Sequence, residues 1–257
     1  MPFTPSHVAA VLPLISSARI RRFLDPWALA LGAMVPDLPI FFSFLPDYMI
    51  WHSLRGVFTI DPFAVVVLLG LFHLLFRDPL IALLPAHLVG RAASLAPGGY
   101  GPRRLPAMVA GGVVGAFSHK LWDSFTHSYS QGVWGWEWLS APAVGPLPVF
   151  RVLQYLSTVA GLAVVAWWAR RGLSRMEPAA TPERLALPGL VRRGVVLLTV
   201  ASALMGAAVW PRIYPASSRI ELITRMGAGV VVGCCAFLVV YAMMWQLKRV
   251  MAVFQGA

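Results

Sequence analysis

Charge is scarce in this sequence. Asp, Glu, Lys and Arg make up 12% of its 257 residues, whereas hydrophobic residues make up 58%. A soluble globular domain carries about a quarter charged residues, so a water-soluble fold is excluded. Disorder is excluded too, because there is ample apolar surface to bury. Cysteine is almost absent. Cys234 and Cys235 are neighbours inside an apolar run, where they cannot readily pair with each other, and there is no CxxC spacing. They are read as packing residues. The sequence has no GxSxG, no Walker loop and no dinucleotide-type glycine pattern between a strand and a helix. No basic residue precedes the first apolar stretch, the earliest being Arg19, so no cleavable signal peptide is expected and the N-terminus should be retained. The composition fits an all-α, polytopic integral membrane protein, a helical bundle of about six or seven helices.

Apolar runs and their breakers predict helices at about 4–18, 26–46, 57–76, 106–127, 150–169, 193–210 and 226–247, with an interfacial stretch at 78–93. Thr4 and Pro5 read as the cap and first position of the first helix. At ~21 Å that helix is too short to span the bilayer upright. Asp25-Pro26 reads as the start of the second helix, which Pro36-Asp37-Leu38-Pro39 interrupts. The organisation expected is a front part, 1–130, and further transmembrane helices over 131–257 with a basic cytoplasmic linker at 171–192.

The net charge is +11, from 21 Lys and Arg against 10 Asp and Glu. The arginines fall between apolar segments, with no basic stripe interleaved with exposed aromatics. The charge is therefore read as anchoring to anionic membrane lipids, with no nucleic-acid partner. Connections 18–26, 77–105, 170–193 and 248–249 hold most of the basic residues. Connections 46–56, 128–149 and 211–225 hold only Arg55, Arg212, Arg219 and Arg225. The positive-inside rule places the first set in the cytoplasm. Trp134, Trp136 and Trp138 lie in the connection without basic residues, as an outer aromatic belt would.

Ionisable groups inside membrane segments are costly, so each needs a reason. His119, Asp123 and His127 stand at i, i+4 and i+8, within ~80° of one helix face. Asp37 sits between two prolines where the helix ladder is broken. His7 lies in the first turn of the first helix, and His52 between the second and third helices. Asp37 is ~17 Å along its helix and His119 ~20 Å along its own, so the six groups share a depth in the outer half of the membrane. Imidazoles with carboxylates suit one or two divalent metals, with Zn²⁺ favoured and Mn²⁺ or Fe²⁺ allowed. The same residues would also serve a proton- or ion-coupled transporter, or a polar network in a non-catalytic subunit or assembly factor. His73 and His87 read as structural, Asp47 and Asp61 as caps or turn formers. Arg55 reads as a rim charge or an anion clamp.

Several motifs resemble a known family. Pro2-Phe3-Thr4-Pro5-Ser6-His7 through Pro13 is similar to the opening of the bacterial integral-membrane family DUF4184, a domain of unknown function. Gly32-Ala33-Met34-Val35-Pro36-Asp37-Leu38-Pro39, His52-Ser53-Leu54-Arg55-Gly56, Gly115 through His127, and Arg151 through Thr158 continue the resemblance, although Trp51 stands where the family often has Thr. That family is in turn distantly similar to bacterial membrane-bound metal-dependent hydrolases. Those share an early His, a Pro-Asp motif, a His-Arg-Gly-x-Thr-His loop and a Ser-His-x-x-x-Asp helix. The resemblance implies His7, Asp37, His52, His119 and Asp123 as metal ligands. The second His of the hydrolase loop has no counterpart in Ser53 to Phe58, so either His127 replaces it or a second metal is absent. The expected activity is hydrolysis of a lipid or lipid-linked phosphoester, in the bacterial cytoplasmic membrane, with the site on the extracytoplasmic side. Asp37 or Asp123 would act as proton acceptor and Arg55 would hold the anionic group.

Overall fold

The computed structural model describes residues 3–42, 44–95 and 101–255. Pro2, at the head of the first motif, lies outside them. The chain is almost entirely helical, as expected of an integral membrane protein. Seven of the helices are labelled in chain order: α1 (Val8–Ser16), α2 (Pro26–Gly32), α3 (Ile60–Leu71), α4 (Leu105–Thr126), α5 (Val149–Arg175), α6 (Gly189–Ile213) and α7 (Arg219–Gln255). Among the described residues, four stretches are long and apolar enough to cross a membrane: Ile60–Ala82, Val149–Arg175, Gly189–Ile213 and Glu221–Ala252. α4, at 22 residues, reaches ~33 Å but carries Lys120 and Asp123 in its second half. A short hairpin, β1 (Pro142–Val144) and β2 (Leu147–Pro148), was not foreseen.

Two elements differ from the sequence reading. The first helix opens as a 3-10 turn, Thr4–His7, before α1. Thr4 is not its cap; that position is Phe3, and the Thr4 hydroxyl is used elsewhere. The second segment does not run to residue 46. It breaks into α2, a 3-10 turn at Val35–Asp37 and a helix at Leu38–Phe41. Pro36 and Pro39 lack the N–H groups that would continue the ladder. Ser43, in the part expected to be helical, lies outside the described residues.

The chain forms two compact units: Met1–Leu69 with Tyr100–Arg175, and Gly70–Gly99 with Met176–Ala257. In the first unit, α2 starts on an Asp25 cap, whose carboxylate accepts from the Trp27 and Ala28 amides at 2.9 and 3.0 Å. α2 lies flush against α4 along a seam of glycines. A Cβ on Gly115 would stand 2.5 Å from the Leu29 carbonyl oxygen and 2.8 Å from the Ala33 nitrogen. A Cβ on Gly111 would stand 2.9 Å from the Asp25 carbonyl oxygen. The two helices run in the same direction, and the Asp25 amide donates to the Ala107 carbonyl at 3.0 Å. α1 and α5 also run side by side in one direction. Phe3 N–H donates to the Thr158 hydroxyl at 3.0 Å, and Trp168 Nε1 to the Ser16 hydroxyl at 3.0 Å. Buried Val11, Leu12, Ile15, Leu29 and Ala33 fill the space between α1 and α2.

In the second unit, α6 and α7 form a helical hairpin. Gly206, Gly229 and Gly233 bring the backbones into contact near Ser202. A single π-helical turn at Phe72–Phe76 joins α3 to the helix Arg77–Ala82. Asp78-Pro79 therefore lies inside a continuing helix rather than opening a separate stretch. The stretch 176–188, within the expected linker, carries a 3-10 turn at Glu183–Leu185 whose Leu185 is fully buried.

Candidate metal centre

Four stretches of chain deliver polar side chains to a single pocket of the first unit. The Thr4–His7 turn brings His7, and the broken segment brings Asp37. The short helix Tyr48–Trp51 ends at His52, and the last turns of α4 bring His119, Asp123 and His127. His7, Asp37, His52, His119 and Asp123 are all buried. One ligand atom from each of Asp37, His52, His119 and Asp123 lies within 4.8 Å of every other.

The spacing inside this group is informative. His119 Nε2 stands 3.3 Å from Asp123 Oδ2 and 3.6 Å from Asp37 Oδ1. His52 Nε2 stands 3.6 Å from Asp37 Oδ1 and 3.7 Å from Asp123 Oδ2. These separations exceed hydrogen-bond length. Ligands ~2.0–2.1 Å from a tetrahedral zinc stand roughly 3.3–3.4 Å apart, so the atoms are spaced as ligands of one ion are.

Hydrogen bonding on the far side of each ring fixes its tautomer. His119 Nδ1 donates to the Ala33 carbonyl at 2.9 Å, and His52 Nδ1 to the Tyr48 carbonyl at 3.2 Å. A carbonyl only accepts, so in each neutral ring Nε2 holds a bare lone pair. Both Nε2 atoms, Asp37 Oδ1 and both Asp123 oxygens are buried with no hydrogen-bond partner among the described residues. Lone pairs facing carboxylate oxygens repel in a low-dielectric interior unless a cation lies between them. The donor set therefore fits a divalent metal.

Asp123 is the hub. Its Oδ2 faces His52 and His119. Its Oδ1 lies 3.6 Å from His7 Nε2 and 3.5 Å from His127 Nδ1. The His7 ring stacks on His119 at 3.9 Å between centroids. His127 is held differently, its Nδ1 donating to the Asp123 backbone carbonyl at 3.0 Å. All six groups expected to converge do so. Arg55 is exposed on the helix Leu54–Phe58, and among the described residues its guanidinium makes no ion pair with the cluster.

With the geometry in hand, the chain can be placed among known proteins. Its residues 1–243 match the model of a domain of unknown function, DUF4184. The chain belongs to this family. No curated protein and no solved structure matches it.

Three supports of the DUF4184 pocket escaped the sequence reading. The Thr4 hydroxyl donates to Asp37 Oδ2 at 2.7 Å, leaving Oδ1 to face the imidazoles. Tyr48 stacks on the His52 ring at 3.8 Å between centroids. Lys120 Nζ donates to the His52 carbonyl at 2.6 Å. Lys120 carried a signal, being a lysine beside His119 in a helix that the sequence predicts to lie in the membrane. Thr4 carried none, because a Thr before Pro reads as a helix cap.

Proposed function

We propose that this protein is a membrane-bound, metal-dependent hydrolase of a lipid or lipid-linked phosphoester. The observation that carries the reading is the four-residue group of buried, unshared lone pairs at ligand–ligand spacing. Zinc is the ion that best suits an imidazole-rich set, with manganese or iron next. Such an ion supplies an activated water and polarises the ester group. His52 and His119 present their Nε2 atoms, each held by its backbone acceptor. Asp123 faces His52 and His119 through Oδ2 and His7 through Oδ1. His127, whose Nδ1 is spent on the Asp123 carbonyl, joins the ligand set only through its unpartnered Nε2. Asp37 or Asp123, whichever binds the ion less firmly, takes the proton. Arg55, exposed just after His52, holds the anionic part of the substrate.

The site sits where α4 ends, beside the connection that lacks basic residues. α2 and α4 run in one direction. α1 and α5 also share a direction, in accord with their both starting on the basic-poor side. Both facts support an extracytoplasmic site in a bacterial cytoplasmic membrane.

The test is elemental analysis of detergent-purified protein, paired with release of phosphate or alcohol from a panel of phospholipids and polyprenyl phosphoesters. Stoichiometric metal and turnover in the wild type, both lost in His119→Ala, are expected. Absence of metal sinks the whole reading. Bound metal without turnover of any ester sinks the hydrolase.

A further inference from the structure

The second unit carries a cluster that the metal centre does not use. Three arginines from separate stretches of chain meet on one carboxylate. Arg77 Nη1 lies 2.9 Å from Asp78 Oδ1, Arg184 Nε 3.7 Å from Asp78 Oδ2, and Arg249 Nη1 3.9 Å from the same Oδ2. We infer that Arg77, Arg184 and Arg249 form a binding site for a phosphate-bearing anion, the chemistry of a phospholipid headgroup.

One carboxylate faces three guanidiniums, each carrying a positive charge. Among the described residues, neither Glu177 nor Glu183 of the same stretch pairs with them. The surplus is two positive charges at one point.

Arg77 is largely committed, since its Nη2 also donates to the Ala93 carbonyl at 2.8 Å. The Arg184 and Arg249 side chains remain 61% and 62% exposed, and both stand beyond hydrogen-bond length from Asp78. Each has a planar fork of donors available to a phosphate.

The positions of the arginines are fixed by packing. Buried Leu185 anchors the turn that carries Arg184. The backbone at Ala179 rests directly on Gly90, where any larger residue would collide. Gln246 Nε2 donates to the Leu74 and Leu75 carbonyls at 3.1 and 3.0 Å, which fixes α7 against the π-turn one helical turn before Arg249.

Arg77 lies near the end of the candidate span Ile60–Ala82 and Arg249 near the end of Glu221–Ala252. Headgroup phosphates lie where spans leave the hydrocarbon, and basic clusters there take anionic heads.

The experiment follows thermal unfolding of the full chain in detergent against three additives. These are short-chain phosphatidylglycerol, short-chain phosphatidylcholine and inorganic phosphate. Phosphatidylglycerol is expected to raise the Tm in a saturable way, with phosphatidylcholine inert. The double variant R184Q/R249Q should bind at least ~10-fold more weakly. A rise with inorganic phosphate of equal size assigns the site to a free anion, and a silent phosphate arm assigns it to the lipid. Native mass spectrometry gives an independent reading, with anionic lipid retained by the wild type and lost from the double variant. The inference is overturned if neither anion shifts the Tm. It is equally overturned if phosphatidylcholine acts as well as phosphatidylglycerol, or if the double variant keeps the full shift.

Discussion

The ammonium of Lys120 hydrogen-bonds to the carbonyl oxygen of His52 at 2.6 Å, joining the loop that supplies one imidazole to the helix that supplies two more. A lysine within a membrane helix is costly unless it is satisfied, and this contact satisfies it. Lys120→Met should let the His52 loop drift and weaken zinc binding about 10–100-fold, the usual effect of losing an outer support. Lys120→Arg should recover part of that loss. Competition with a chromogenic chelator measures both, and an unchanged affinity in Lys120→Met would refute the role.

His119 and His127 should not be equivalent. His119 Nε2 faces both carboxylates, whereas His127 faces Asp123 alone and spends its Nδ1 on a backbone carbonyl. His119→Gln should abolish stoichiometric metal, while His127→Gln should retain it at lower affinity. Elemental analysis of the two variants side by side decides the order.

Thr4→Val keeps the shape of the side chain and removes the donor to Asp37. A hydrogen bond to a charged group contributes about 1.5–3 kcal/mol, so metal affinity should fall by roughly one to two orders of magnitude. Thr4→Ser should behave like the wild type, since its hydroxyl can reach the same oxygen. If Val and Ser variants bind metal alike, the Thr4–Asp37 contact has no part in the site.

Gly115 is the position where the helix seam and the site meet. A methyl group there would press on the Leu29 carbonyl and the Ala33 nitrogen. The Ala33 carbonyl is what holds His119. Gly115→Ala should therefore cost about 1–3 kcal/mol by overpacking and lower metal content at the same time. Gly132, whose surroundings are open, is the control: Gly132→Ala should leave metal content unchanged.

Much of the site was legible in the sequence because its members obey local rules. His119, Asp123 and His127 share a face by helical spacing alone. The prolines around Asp37 announced a broken ladder, and the structure breaks there. The rest depends on contacts between distant segments. Thr4 reaches Asp37 across 33 residues, and Lys120 reaches His52 across 68. No periodicity encodes such pairings. The premature end of the second segment at Phe41 belongs between these cases. Pro36 and Pro39 were visible, but that they end the helix rather than kink it depends on how the following chain turns toward Tyr48. The hairpin at 142–148 follows the same logic, since Pro-rich strands this short have no readable alternation.

The two carboxylates of the cluster also set an arithmetic of valence. With the rings neutral, Asp37 and Asp123 contribute two negative charges at the ligand atoms themselves, which a doubly charged ion cancels; the Lys120 ammonium lies outside that set, on the His52 backbone carbonyl. A sodium or potassium ion would leave one negative charge stranded in a medium that solvates it poorly, and a trivalent ion would leave one positive charge. Selection among ions thus begins with charge parity, before size or softness enters.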